Sequence, residues 1–119
     1  MSNTKDEFTV SSHFEGKSPV VRKIYDLVLK SVRQIGSVSE EPKKTSIHLV
    51  NITALAGVAT RKEWLVLTIK SDRKLTCPRI FKTEQVSARR FHHEVKLTST
   101  ADVDAELTEW LKEAYTLSS

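Results

Sequence analysis

The spacing of apolar residues changes twice along the chain, and that change limits the fold more than any other feature. After Ser18 the spacing is helical: Val20, Ile24, Leu27, Val28, Ser31, Val32 and Ile35 make one stripe. Between residues 45 and 97 the period falls to two, the signature of half-buried strands. Past Ser99 it is helical again, with Val103, Leu107, Trp110, Leu111 and Ala114 as the apolar stripe. A chain ordered helix, strands, helix must bury two stripes and one sheet face together. The fold expected is therefore α+β: an antiparallel sheet of about four to five strands, with an N-terminal and a C-terminal helix packed on one face.

Local signals place the boundaries. Ser18 suits an N-cap, Pro19 the first helical position, and Gly36 a C′ position. Arg22, Lys23, Lys30 and Arg33 fall off the stripe and should be wet. Residues 37–44 read as a connection. Strands are expected at 45–50, 54–58 and 64–70, joined as an antiparallel meander. Residues 75–81 form a fourth only as an edge or irregular stretch, because Pro78 cannot donate to a ladder. A helical turn is expected within 83–90 and a strand at 91–97. In that last strand Phe91, His93, Val95 and Leu97 share the core face, opposite His92, Glu94 and Lys96. Ser99 and Asp102 resemble a capping box for the final helix. Residues 1–12 are expected to be a flexible lead-in, with Phe8 and Val10 touching the body, and 13–119 a single α+β domain.

Composition narrows the class. With 39% hydrophobic residues, 3 Gly and 3 Pro, a chain of 119 residues is neither disordered nor collagen-like, and it is long enough to bury a core unaided. No apolar window is long enough to span a bilayer, so no membrane partner is expected. One cysteine, Cys77, forbids an internal disulfide and points to a reduced, cytoplasmic setting. The net charge of +4 is unevenly placed: residues 43–96 carry 12 basic and 4 acidic side chains, whereas 97–119 carry 1 and 5. A basic central segment suggests an anionic partner.

Catalytic and metal motifs are thin. Cys77 lacks a local histidine, and the four histidines have neither zinc-protease spacing nor a CxxC companion. His92 and His93 are neighbours in a strand and point to opposite faces. No Gly-rich phosphate loop is present, and the lone Gly57 suggests close backbone packing. No catalytic residue, metal site or cofactor is therefore assigned. Basic residues interleaved with Phe81 and Phe91, and an outward Trp64, suit stacking on nucleic acid, although no RNP-type motif accompanies them.

Several segments carry a family resemblance: His13–Lys17 read as HFEGK, Glu41–Leu49 as EPKKTSIHL, then Ala56-Gly57-Val58, Arg61-Lys62, Gln85-Val86-Ser87, Arg90-Phe91-His92 and Ala114-Tyr115. In their order and spacing they resemble the bacterial domain of unknown function 5655 family, from about His13 to the end of the chain. The resemblance implies a small α+β domain and no established activity. Some of the family's members carry a cysteine-containing N-terminal segment suggestive of zinc, which this chain lacks.

The residues where charge and resemblance coincide are Lys43, Lys44, His48, Arg61, Lys62, Arg90 and His92. Fixed cations beside imidazoles, which titrate near neutral pH, suit an anion. The reading they favour is a non-enzymatic binding module with a basic, His-containing surface. Open beside it stand a nucleic-acid-binding accessory domain, a protein-interaction domain using Trp64 and the open sheet face, and a small hydrolase using His92 with Cys77 or a bound water. An exposed sheet edge also allows a homodimer.

Overall fold

The structure, a computed structural model, describes residues 8–118. The first part of the expected lead-in, residues 1–7, lies outside the described residues. A short 3₁₀ turn, Ser11–Phe14, precedes helix α1, Pro19–Ile35. Six strands follow: β1 Ser39–Pro42, β2 Ile47–Val50, β3 Ala54–Thr60, β4 Leu65–Ser71, β5 Ile80–Ser87 and β6 Arg90–Leu97. A second 3₁₀ turn, Thr100–Asp102, leads to helix α2, Ala105–Leu117. The strands make one antiparallel sheet in the order β1-β2-β3-β4-β6-β5. Among the described residues no helix is long and apolar enough to cross a membrane.

The sheet has six strands, not the expected four to five. The meander β2-β3-β4 stands as expected. What differs lies at the two edges. Strand β1 occupies the expected connection, and its Ser-Glu-Glu-Pro sequence has no apolar alternation because it buries little. Pro42 fits there because an edge strand has one unpaired side. At the other edge, β5 begins two residues after Pro78 and runs through the expected helical turn. It too is mostly exposed, so no period-two pattern marks it. Two bulges interrupt its pairing, leaving Phe81 and Val86 without partners in the ladder.

One core unites the helices with the inner sheet face. Val21, Ile24, Tyr25, Val28, Leu29 and Val32 of α1 and Leu107, Trp110, Leu111 and Ala114 of α2 are buried against Ile47, Leu49, Val58, Leu65, Leu67, Ile69, Val95 and Leu97. The α1 stripe is turned from the expected one: Val21, Tyr25 and Leu29 are buried, whereas Val20 and Ile35 only flank the core. The amphipathic Tyr25 explains part of the turn, because its hydroxyl donates to Glu40 Oε2 at 2.5 Å while its ring stays inside. His93 is fully buried, with Nδ1 3.0 Å from Thr83 Oγ1 and Nε2 3.2 Å from the Arg73 carbonyl. It thereby anchors the β4–β5 connection.

Helix ends follow the chemistry with two shifts. Ser99 and Asp102 do form a capping box, but it closes the 3₁₀ turn. Asp104 caps α2 itself by accepting from the Leu107 N–H at 3.0 Å. Gly36 ends α1 in extended backbone rather than the left-handed form. Its need for glycine is closeness: a Cβ there would run into the Tyr115 ring and hydroxyl. That hydroxyl donates to the Ser37 carbonyl at 3.0 Å, tying α2 to the end of α1.

Two stability outcomes follow. Gly36→Ala is expected to cost about 1–3 kcal/mol by overpacking, measured by denaturant unfolding, and much less in a Tyr115→Ala background. Asp104→Ala is expected to cost about 1 kcal/mol at neutral pH. The Leu107 N–H and the Arg79 guanidinium hold the Asp104 carboxyl below its ordinary value of 3.8. A carboxyl lowered in the folded state stabilises above its unfolded pKa and loses that effect as pH falls through the folded one. The gap between wild type and variant should therefore be full at neutral pH and close on acidification below that ordinary value.

Candidate functional site

The inner face of the sheet is sealed, so alternation sends the intervening side chains to the outer face. One outward row runs His48, Gly57, Thr68, Glu94 across β2, β3, β4 and β6. Strand β3, with the sequence ALAGVAT, consists mostly of small side chains. Its neighbours stand taller, and a groove of about 240 Å³ results. The floor is the β3 run from Ala54 through Leu55, Gly57 and Val58 to Ala59, and Ser46, His48, Thr68, Lys70 and His92 supply the polar rim. None of the described residues lining it is acidic.

Gly57 is not held by close backbone packing, as the sequence suggested. A Cβ there would meet only His48 Cδ2, at 3.8 Å, an ordinary contact. Glycine keeps the floor low instead.

The structure divides the sequence-assigned residues into groups. His48 and His92 both border the groove. They sit on strands three steps apart and two residues out of line, so their backbones are separated by about 16 Å. That span suits a bound molecule lying between them and is too wide for one shared ion. Lys43 and Lys44 lie in the β1–β2 turn and Arg61 and Lys62 in the β3–β4 turn, both at one end of the sheet. Lys43 is engaged: its Nζ lies 3.5 Å from Glu41 Oε1, and its carbonyl accepts from His13 Nε2 at 2.8 Å. Arg61 donates to the Thr60 carbonyl at 3.2 Å, and the Lys62 carbonyl accepts from the Ser18 N–H at 2.7 Å. Lys44, Arg61 and Lys62 are exposed and line no part of the groove. Arg90 opens β6 at the opposite end, near Lys70 and His92.

Lys70 is not among the sequence-assigned residues. It pairs directly across from His92 in the β4–β6 ladder. Its ammonium donates to Thr53 Oγ1 at 3.2 Å and has no carboxylate within ion-pair distance among the described residues. Burial, reinforced by the positive charge of Arg90, lowers its pKa from the usual lysine value. The signal was present in the sequence: Lys70 has the same parity as Thr68 in the clearest strand.

Elsewhere the chemistry is structural. Cys77 packs beside the core with its Sγ 3.9 Å from both Glu106 carboxylate oxygens. His92 is on the opposite side of the sheet, so the two are not brought together. Trp64 lies under the Lys96 ammonium, 4.3 Å from its ring centroid. Among the described residues no three His, Cys, Asp or Glu side chains are grouped to hold a metal ion.

Comparison with known proteins gives one match. The model of a family described as Domain of unknown function (DUF5655) matches residues 10–118. No curated protein and no solved structure matches the chain.

If Gly57 serves the floor and not the fold, Gly57→Ala should unfold in denaturant at equal or higher stability, by up to about 1 kcal/mol. A large loss in that measurement would restore a packing role for the glycine.

Proposed function

We propose that this chain, which belongs to the domain of unknown function 5655 family, is a non-enzymatic binding module that takes a small anionic ligand with an apolar body. The observation that carries this reading is the groove itself: Lys70 and the imidazoles of His48 and His92 border an aliphatic floor, with no acidic residue in the lining. An anion near Lys70, His92 and Arg90 would gain charge-assisted hydrogen bonds, each worth about 1.5–3 kcal/mol. An apolar tail on the Gly57 floor would add about 25 cal/mol for each Å² removed from water. Together these suit an affinity of about 1 mM or tighter, which corresponds to about 4 kcal/mol.

A small ligand fits the charge distribution better than a polyanion does. Lys43 faces Glu41, Arg73 faces Glu113, Arg79 faces Asp104 and Glu106, and Lys82 faces Glu94. Four of the twelve basic side chains of the central segment are thus already answered by carboxylates. The groove lining is not.

The test is an amide-resolved NMR titration with phenylpropionate, a carboxylate on an apolar tail, at low and at high salt. Shifts should cluster at His48, Gly57, Thr68, Lys70 and His92, weaken as salt rises, and vanish in Gly57→Leu. Shifts confined to Arg61 and Lys62, or none at tens of millimolar ligand, would remove the reading. Steeply salt-dependent binding of an oligonucleotide without groove shifts would replace it with nucleic-acid binding.

A further inference from the structure

Lys70 is set apart from the other lysines by its surroundings. Among the described lysines only Lys70 and Lys17 are half-buried, and of these only Lys70 lines the groove. Its ammonium donates to a neutral hydroxyl, Thr53 Oγ1. Facing it across the ladder is His92, with Arg90 two residues before His92 on the same side of β6. Of the acids on the neighbouring strands, Glu94 lies 3.7 Å from Lys82, and Glu84 sits beyond His92 on β5. An amine kept from carboxylates, partly desolvated and beside another cation is the environment that frees a lysine lone pair for attack.

We infer that Lys70 is a nucleophilic amine that forms a reversible imine with an α-oxo acid seated in this groove. The inference rests on the anion reading above and gives the ligand a chemical class. Arg90 and His92 would hold the carboxylate, which places the adjoining carbonyl carbon toward Lys70. The lone pair of neutral Nζ attacks that carbon, a C–N bond forms, and the carbonyl π pair moves to oxygen. Protons pass from nitrogen to that oxygen, with His92 placed to carry them. The C–O bond then breaks, water leaves, and a C=N bond remains. One oxo acid and one amine give one imine and one water, with nothing oxidised or reduced. The imine itself is reversible, so a binding module with this chemistry would hold its ligand covalently yet release it by hydrolysis.

The test is reductive trapping with phenylpyruvate and borohydride at neutral pH, read by intact mass and peptide mapping. Borohydride reduces the imine to a secondary amine and fixes it in place. One adduct is expected, on Lys70, several-fold above any other lysine, suppressed by excess phenylpropionate and lost in Lys70→Arg. Lys82→Arg should leave it unchanged, and groove resonances of each variant report that it is folded. Adducts spread evenly over the exposed lysines, or an undiminished yield in Lys70→Arg, would overturn the inference. Phenylpropionate shifts in the groove without a Lys70 adduct would overturn the imine alone. A Lys70 adduct without phenylpropionate shifts would support the reactive amine and remove the anion reading beneath it.

Discussion

Burial of Leu65, Leu67 and Ile69 under the two helices decides where nearly everything else lies. Strand β4 is the middle of the sheet, paired with β3 on one side and β6 on the other. Its apolar set must face the helices, and a slip of one residue against either neighbour would turn that set outward. Register is therefore tightly held on both sides. With register held, Thr68 and Lys70 have no choice of face, and neither do Gly57, His48 or His92 across the ladders. The groove is the reverse side of the core: its residues are placed by their neighbours' hydrophobicity more than by any preference of their own.

The same logic explains what could be read from the sequence. Helix α1, helix α2 and the strands β2, β3, β4 and β6 bury one face each, and burial writes a period into the chain. Strands β1 and β5 bury little, so Ser-Glu-Glu-Pro read as a loop and residues 83–87 as a turn. Parity alone put His48 and His92 on the open face. It also put Lys70 there, but Lys70 lies outside the segments where charge and family resemblance coincide, which include the basic turns at 43–44 and 61–62. Two facts were beyond reach. The order β4-β6-β5 depends on pairing between residues as far apart as Leu65 and Leu97. The emptiness above Gly57 depends on side chains from three other strands.

Charge along the chain proved a poor guide to charge in space. The basic centre and the acidic C-terminal segment look like opposite poles, yet the fold lays one on the other. Arg79 donates to Asp104 at 2.9 Å and to Glu106 at 3.1 Å, and its guanidinium also lies 5.8 Å from the Trp110 ring centroid. Arg73 holds Glu113 at 3.0 Å. Each exposed pair adds little, about 0.2–1 kcal/mol. Their combined effect is to turn helix α2 into a counter-charge for the β4–β5 connection. The cations around Lys70, on the opposite face, have no such counter-charge among the described residues.

The place of β6 between β4 and β5 sets the order in which the molecule can be completed. Strands β1 to β4 form a run of neighbours, and β5 with β6 forms a hairpin, so each can assemble from contacts close in sequence. Joining them requires β6 to find β4 across a long loop, and such non-local steps are slow. His48 and Gly57 belong to the first unit and His92 to the second. The ligand groove is thus a seam that exists only after both have docked, and any molecule that occupies it draws the assembly equilibrium toward the finished fold.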